Sequence, residues 1–328
     1  MTFMKYDQIR PYFNEPNKDG NRDERIWGKI KRNIEALLSE YEHKRTGKSL
    51  PHDEPLITLV SLYGLFGDQS DLDSRNRLSA VNKLFSDVLN RRKTPAEVQD
   101  FTALTGAFVE VYLHENKKFR KFLRDTIFKE AAHHPYSDRR IALAGKRKKE
   151  NASFEGNTNL DALISGKLSS GKPAHIFIEA KFLSDISTEI TYLPVRNQIA
   201  RNIDCALDLM TNGGKNLEEI DNFWFFLLTP GMFRTREYGG PTNHTFKEVN
   251  PTYSRFYCYK MNEYLDPGKL KEDLPHWTEL NEEHWVKLSK RIGWLTFEEI
   301  ASAVETNNLL QGDEMTEFKK FLSDRELS

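Results

Sequence analysis

The stretch that decides the fold covers residues 175–182, and it reads His175-Ile176-Phe177-Ile178-Glu179-Ala180-Lys181-Phe182. Its side chains alternate between two faces. One face is apolar throughout, and the other carries Glu179 and Lys181 two residues apart. A period of two predicts a β-strand whose charged residues share one side. A charged pair on such an apolar strand requires a partner, a metal ion or solvent.

The segment before this strand predicts its antiparallel neighbour. Residues Thr158 to Ser165 read as a strand, and Gly166 to Pro173 carry the glycines, serines and proline of a turn. In a hairpin centred near Ser170, opposed residues have numbers that sum to about 340, so Asp161 faces Glu179. Opposed β-carbons lie roughly 5 Å apart. Two carboxylates at that separation repel each other unless one is protonated or a cation lies between them.

The remaining periodicities predict an α/β protein with helical regions at both ends. We expect a helix from Thr94 to about His114, because Thr-Pro-Ala-Glu is a typical helix start. The other expected elements are helices over Trp27–Leu38, Leu78–Leu89 and Val195–Met210, strands over Asn222–Thr229 and Arg255–Met261, and helices beyond Pro267, one of them capped at Thr296. The expected organisation is a helical region over 1–93, a core over 94–265 and a helical region over 266–328.

Composition excludes several classes of protein. The 328 residues are 38% hydrophobic, which is enough for a core. No apolar run approaches the roughly 20 residues of a membrane span, and the N-terminus lacks a signal-peptide pattern. Cys205 and Cys258 are too few for a disulfide framework or a cysteine-rich zinc site. These features favour a cytoplasmic protein with no membrane partner.

Positive charge is concentrated in one segment, although the chain as a whole has a net charge of −1. Twelve basic residues and three acids lie between Lys117 and Lys149, which gives a local net charge of +9. Such a segment is compatible with binding to phosphates. The alternative is a solvated helix face followed by an exposed loop.

Asp161, Glu179 and Lys181 together predict metal-assisted phosphodiester hydrolysis. Mg²⁺ prefers oxygen ligands and is commonly held by one or two carboxylates and water, and Mn²⁺ is its expected substitute. The lysine ammonium would hold the attacking water or stabilise charge on a phosphate. A bound metal would lower the pKa of that water.

Asp161 followed by Glu179-Ala180-Lys181 on the next strand resembles the PD-(D/E)XK nuclease superfamily over about Thr94 to Tyr264. Gln198-Ile199-Ala200-Arg201 is similar to a glutamine signature that several branches of this superfamily carry on the helix after the lysine strand. Glu110 is similar to the glutamate that many members add to the metal site from a helix. The family's proline before the first aspartate is Leu160 here. The resemblance implies a restriction endonuclease-like core, with a central mixed sheet flanked by helices, and a Mg²⁺-dependent endonuclease acting on DNA. It implies catalytic roles for Asp161, Glu179, Lys181, Gln198 and Glu110 and metal binding by Asp161, Glu179 and Glu110. We also expect contacts with the nucleic-acid backbone from Arg201 and from the basic segment, at Lys146, Arg147, Lys148 and Lys149.

Less specific interpretations remain open for each residue. For Asp161 the alternative is a polar residue at the end of a strand, and for Glu179 with Lys181 it is a surface ion pair. For Glu110 the alternative is a buried ion pair with a lysine or arginine. For Gln198 and Arg201 it is a helix face exposed to solvent. Glu155 is an alternative acid, and the pair His133-His134 is a weak metal-site candidate. A nucleic-acid-binding protein with a vestigial nuclease site and a scaffold protein are the alternative functions. The sequence leaves open whether the substrate is DNA or RNA and whether the protein is a monomer or a homodimer.

Overall fold

The computed structural model describes residues 4, 6–13, 54–72, 74–91, 100–126, 158–182, 197–235, 260–325 and 327. Its centre is a five-stranded mixed sheet in the order β1-β2-β3-β4-β5. The first two pairings are antiparallel and the last two are parallel. The strands are β1 (Phe101–Leu113), β2 (Thr158–Leu168), β3 (Pro173–Ala180), β4 (Phe223–Thr229) and β5 (Ile292–Thr296).

Helices cover both faces of this sheet. They are α1 (Tyr6–Ile9), α2 (Glu54–Phe66), α3 (Arg75–Asn90), α4 (Lys117–Asp125), α5 (Gln198–Met210), α6 (Gly231–Thr235), α7 (Lys260–Glu263), α8 (Pro267–Asp273), α9 (Glu282–Ser289), α10 (Phe297–Thr306) and α11 (Gly312–Ser323). Short 3₁₀ turns lie at Arg10–Phe13, Gln69–Asp71 and Leu217–Asn222. Within the described ranges, none of these helices has both the length and the apolarity needed to cross a membrane.

Two apolar cores separate the helices into two layers. The first core combines α1 to α3 with α10 and α11 against the face of the sheet that carries Ile176, Ile178 and Ala180. The second combines α5, α8 and α9 against the face that carries Phe177, Phe223 and Phe225. The N-terminal and C-terminal helices therefore share one layer, and β5 brings the C-terminal region into the sheet itself. The proposed boundaries at residues 93 and 265 remain a prediction.

The predicted hairpin register is confirmed. The six β2–β3 pairs run from Ala162 opposite Ile178 to Lys167 opposite Pro173, and each pair of numbers sums to 340. Asp161 lies one residue beyond the first of these pairs. The expected strand over Asn222–Thr229, the helix over Leu78–Leu89 and the helix ending at Met210 are also confirmed, and Thr296 caps α10 as expected.

The helix expected from Thr94 to His114 is wrong where the structure describes it, because Phe101–Leu113 is strand β1. Residues 94–99 lie outside the described residues. The prediction continued a helix from the start pattern at Thr94 into a segment rich in Thr, Phe, Val and Tyr. These residues favour a strand when a neighbouring strand is available for pairing. That pairing partner is β2, which lies more than 40 residues further along the chain.

The strand expected over Arg255–Met261 is wrong at its last two residues, which are the ones that the structure describes. Lys260 and Met261 belong to helix α7, and residues 255–259 lie outside the described residues, as do 27–38. The fifth strand is Ile292–Thr296, which sequence analysis missed. It has only five residues, all buried, and it leads directly into the cap of α10. Such a short run does not show a period of its own.

Helix α5 is held on the sheet by a buried carboxylate. Asp204 is fully buried, and its Oδ1 accepts hydrogen bonds from Asn116 Nδ2 at 2.7 Å, His276 Nε2 at 2.8 Å and Trp277 Nε1 at 2.6 Å. These donors come from the N-cap of α4 and from the chain between α8 and α9. One side chain thus fixes α5 to two other parts of the second layer.

Replacing Asp204 by Ala should lower the free energy of unfolding by about 3–5 kcal/mol, because three buried donors lose their acceptor. Urea unfolding followed by circular dichroism measures this. Asp208, one turn further along α5, is the matched control. Burial and the neighbouring Asp204 raise its pKa to about 6, so its charge at neutral pH is unfavourable. Asp208→Ala should cost less than about 1 kcal/mol, and equal losses for both variants would contradict this role of Asp204.

Candidate active site

The ammonium group of Lys181 is the centre of a cluster of carboxylates at the end of β3. Lys181 Nζ lies 2.8 Å from Glu179 Oε1 and 3.1 Å from Glu54 Oε1, and it also donates to the backbone oxygen of Ala180 at 2.8 Å. Lys181 is 6% exposed and Glu179 is 1% exposed. A charged pair buried this deeply is stable only when both partners are hydrogen-bonded. The surface ion pair considered as an alternative for these two residues is therefore wrong.

Both oxygens of Glu179 accept hydrogen bonds from helix α5. Gln198 Nε2 donates to Oε1, which Lys181 also contacts. Asn202 Nδ2 donates to Oε2 at 2.6 Å. Gln198 and Asn202 are one helical turn apart, so their side chains lie on the same face of α5. The structure thus brings Gln198, one of the expected site residues, to Glu179, and it adds Asn202, which was missed.

Asp161 lies beside this pair, as the hairpin register requires. Its Oδ2 accepts a hydrogen bond from the backbone N–H of Ala180 at 2.7 Å. Because Ala180 lies between Glu179 and Lys181, this bond holds the carboxylate of Asp161 against the end of β3. Asp161 is only partly buried, so the cluster opens to solvent on its side.

Glu54, the first residue of α2, completes the cluster from the other helical layer. Its Oε1 pairs with Lys181, and its Oε2 accepts the backbone N–H of Phe182 at 3.0 Å. Glu54 lies 127 positions before Lys181 in the chain. Sequence analysis missed it because an acid before a proline and an apolar run is an ordinary helix start. The site thus lies where the two helical layers meet at one end of the sheet.

Glu110 belongs to β1 and not to a helix, which corrects the expectation that it is a helix-borne glutamate. Its neighbours Val109 and Val111 pair with Ala162 and Leu160, so Glu110 lies opposite Asp161. Its backbone has φ of +55°, a conformation that side-chain-bearing residues rarely adopt. At this point β1 changes faces, since Val109 packs in the first core and Val111 in the second. An observed strained residue at a cluster of charges is a common feature of functional sites.

Asp161 and Glu179 hold their protons more tightly than free acids do. Burial, together with the charge of Glu179, raises the pKa of Asp161 well above its usual value, although Lys181 opposes the shift. Burial also raises the pKa of Glu179, again against Lys181. For Lys181, burial alone lowers the pKa, but Glu179, Asp161 and Glu54 outweigh it and raise it well above the usual value. Lys181 is therefore a protonated ammonium at neutral pH.

The cluster contains the type of oxygen donor that a hard divalent cation prefers. Among the described residues, the carboxyl groups of Glu54, Asp161 and Glu179 surround the single ammonium of Lys181, and Glu110 adds its charge beside Glu179. This surplus of oxygen ligands and negative charge suits Mg²⁺ or Mn²⁺. Glu179 Oε2 accepts one hydrogen bond from Asn202, and a carboxylate oxygen can accept two. Within the described ranges, no group of three or more His, Cys, Asp or Glu side chains is arranged so that it could hold a metal ion.

Several predicted residues cannot be placed in this cluster. Lys146, Arg147, Lys148 and Lys149 lie outside the described residues, as do Glu155, His133 and His134. Arg201 is on α5, three residues after Gln198, and is partly buried. Its contact with a phosphate stays a prediction.

Comparison with known proteins adds no assignment: no family model, curated protein or solved structure matches this chain. The arrangement of side chains at the end of β3 is therefore the basis for any functional conclusion.

The left-handed backbone of Glu110 predicts an unusual order of stability. Glu110→Gly should be more stable than Glu110→Ala by about 1 kcal/mol, because glycine adopts positive φ without steric cost. Urea unfolding of both variants measures the difference. Asn159, an exposed residue of β2 that pairs regularly with Tyr112 of β1, is the control position. There the order should reverse, since glycine weakens a regular strand. A Glu110→Ala variant as stable as Glu110→Gly would contradict the assigned conformation.

Proposed function

We propose that this chain is a metal-dependent nuclease that hydrolyses phosphodiester bonds, with DNA as its substrate. The observation that carries the proposal is the buried ammonium of Lys181, which is held between Glu179 and Glu54. Beside it, the carboxylate of Asp161 accepts a hydrogen bond from the backbone N–H of Ala180. Such a group of acids around one lysine suits the charges that arise when a phosphodiester is cleaved.

The topology supports the finer fold assignment to a restriction endonuclease-like core. Three antiparallel strands, β1 to β3, are followed by helix α5 and then by β4, which is parallel to β3. The acids and the lysine lie on β2 and β3 in the order that the resemblance to the PD-(D/E)XK superfamily implies. Glu54 on α2 is the acid that a helix brings to the cluster, whereas Glu110 lies on β1.

Asp161 and Glu179 would hold the metal ion, with Glu110 on the neighbouring strand as a further oxygen ligand. When bound, the metal supplies a water of lowered pKa and neutralises charge on the phosphate. Lys181 donates hydrogen bonds and cannot accept a proton while its ammonium faces these carboxylates. Its three N–H groups are directed to Glu179, Glu54 and Ala180, so its role is to hold Glu179 and to stabilise, through its positive charge, the negative charge that develops on the phosphate. Glu54 and Ala180 fix the direction of its Nζ.

Substitutions at the cluster should separate catalysis from folding. We expect Asp161→Asn, Glu179→Gln and Lys181→Met each to lower the rate of Mg²⁺-dependent nicking of supercoiled plasmid DNA by about 100-fold or more, because each removes one charge from the reacting centre. Gel assays under single-turnover conditions measure this, and thermal unfolding monitors the fold. Lys83→Met, an exposed member of an i,i+4 pair on α3, is the control for loss of a lysine.

Undiminished nicking by Asp161→Asn and Lys181→Met would contradict the assignment. If the unaltered protein binds DNA but cuts neither DNA nor RNA with Mg²⁺ or Mn²⁺, the alternative of a binding protein with a vestigial site is supported.

Helix α4 is the described part of the basic segment, and it supplies a candidate surface for the DNA backbone. Lys117 and Lys121 are exposed and one turn apart, while Phe119 and Leu123 are buried and anchor the helix. The helix begins four residues after β1 ends, at the same end of the sheet as Asp161. Contacts from such lysines position the substrate without reading its sequence.

Reversing both charges, in Lys117→Glu/Lys121→Glu, should weaken DNA binding by about tenfold. The slope of log K against the logarithm of the salt concentration should also fall in magnitude by about two, because two phosphate contacts are lost. Fluorescence anisotropy with a labelled duplex at several salt concentrations measures both. The control is Lys319→Glu/Lys320→Glu on α11, which reverses two exposed charges in the opposite helical layer. An equal effect of both pairs would indicate a general charge effect and would remove α4 from the proposed surface.

A further inference from the structure

A polar side chain lies fully buried directly beneath the carboxylate cluster. Asn202 is 0% exposed, and it belongs to the apolar stripe of α5 that includes Ile199 and Ile203. Burying an amide costs free energy unless both of its ends are hydrogen-bonded. The Nδ2 of Asn202 donates to Glu179 Oε2 at 2.6 Å, so one end is satisfied by a carboxylate of the site.

The other end of the amide is satisfied by the first residue of β2. Thr158 Oγ1 donates to Asn202 Oδ1 at 2.9 Å, and Thr158 is 5% exposed. A hydroxyl that donates to Oδ1 forces the NH₂ group of the same amide to point the opposite way. Thr158 therefore determines that Asn202 presents a donor, and not a lone pair, to Glu179.

This arrangement restricts how Glu179 can rotate. Gln198 and Lys181 contact Oε1, and Asn202 contacts Oε2, so each oxygen has a fixed donor. Without Asn202 the carboxylate of Glu179 could rotate about its Cγ–Cδ bond, and its buried Oε2 would lose the hydrogen bond from Nδ2 of Asn202. The carboxylate group of a metal ligand must be held in one orientation for the cation to bind tightly.

We propose that Asn202, oriented by Thr158, is a positioning residue that fixes the carboxylate of Glu179 for binding of the divalent cation. The proposal rests on the proposed function, since it assigns Glu179 to the cation. Asn202 touches neither the cation nor the substrate in this role. The hydroxyl, the amide and the carboxylate form a buried relay from β2 through α5 to β3.

The relay is tested first by titrating the full chain with Mn²⁺ in a calorimeter, without nucleic acid. Asn202→Leu should weaken Mn²⁺ binding by about 10- to 100-fold, the usual loss when a partner of a metal ligand is removed. Thr158→Val should weaken it by about 3- to 10-fold, because the amide is then free to flip, and Thr158→Ser should restore most of the affinity. Thr102→Val removes a hydroxyl at the far end of the β1–β2 ladder, where it bonds only backbone oxygens, and should have no effect.

Two further measurements separate positioning from a general structural effect. In plasmid cleavage, Asn202→Leu should lower kcat while KM for DNA stays within about twofold, because the residue lies beneath the site. In the double variant Asn202→Leu/Thr158→Val, the Thr158 change should add no further loss, since it acts only through the amide. A full additional loss would overturn the relay.

The outcomes distinguish this inference from the proposed function. If Glu179→Gln binds Mn²⁺ as tightly as the unaltered chain, the proposed function fails and the relay fails with it. If Glu179→Gln abolishes binding but Asn202→Leu and Thr158→Val bind normally, only the relay is overturned. Should Asn202→Leu not fold, the comparison of Thr158→Val with Thr158→Ser decides, and equal affinities for those two would also overturn it.

Discussion

Burial of one ammonium group, that of Lys181, is the constraint on which the rest of the site depends. Lys181 directly follows β3 and is almost fully buried, so its charge lies where solvent cannot stabilise it. Its stability requires carboxylates at hydrogen-bonding distance. Glu179 on the same strand supplies one, and Glu54 on α2 supplies another. The requirement to pair this charge brings the first helical layer to the end of β3.

Helix α5, in the second layer, carries polar residues on two opposite sides. Gln198 and Asn202 point to Glu179, whereas Asp204 binds three donors from α4 and the C-terminal segment. Residues two positions apart on a helix face in nearly opposite directions. The helix is therefore held from both sides by directional bonds, so its contacts with the carboxylate are defined by geometry as well as by apolar packing.

Excess negative charge is the second property of the site. The acids outnumber the lysine, so they repel one another, and burial raises the pKa of both Asp161 and Glu179. Glu110 adds a further carboxylate from a strained backbone position. A cluster of this kind is unfavourable for the fold alone, because replacing buried charges by apolar residues is often stabilising. This cost is the physical argument for a cation-dependent role.

The sequence by itself determined the β2–β3 hairpin, its register and the meeting of Asp161, Glu179 and Lys181, because a two-residue period and a tight turn fix which side chains are opposed. It also determined α3, α5, β4 and the cap of α10, whose signals lie within a few neighbouring residues. It misassigned β1 and missed β5, because these strands are defined by partners distant in the chain. Only the tertiary structure decided that Glu54, Asn202 and Thr158 join the site. Each is locally an ordinary helix start, helix residue or strand start, and its role arises from a contact 23 to 127 positions away.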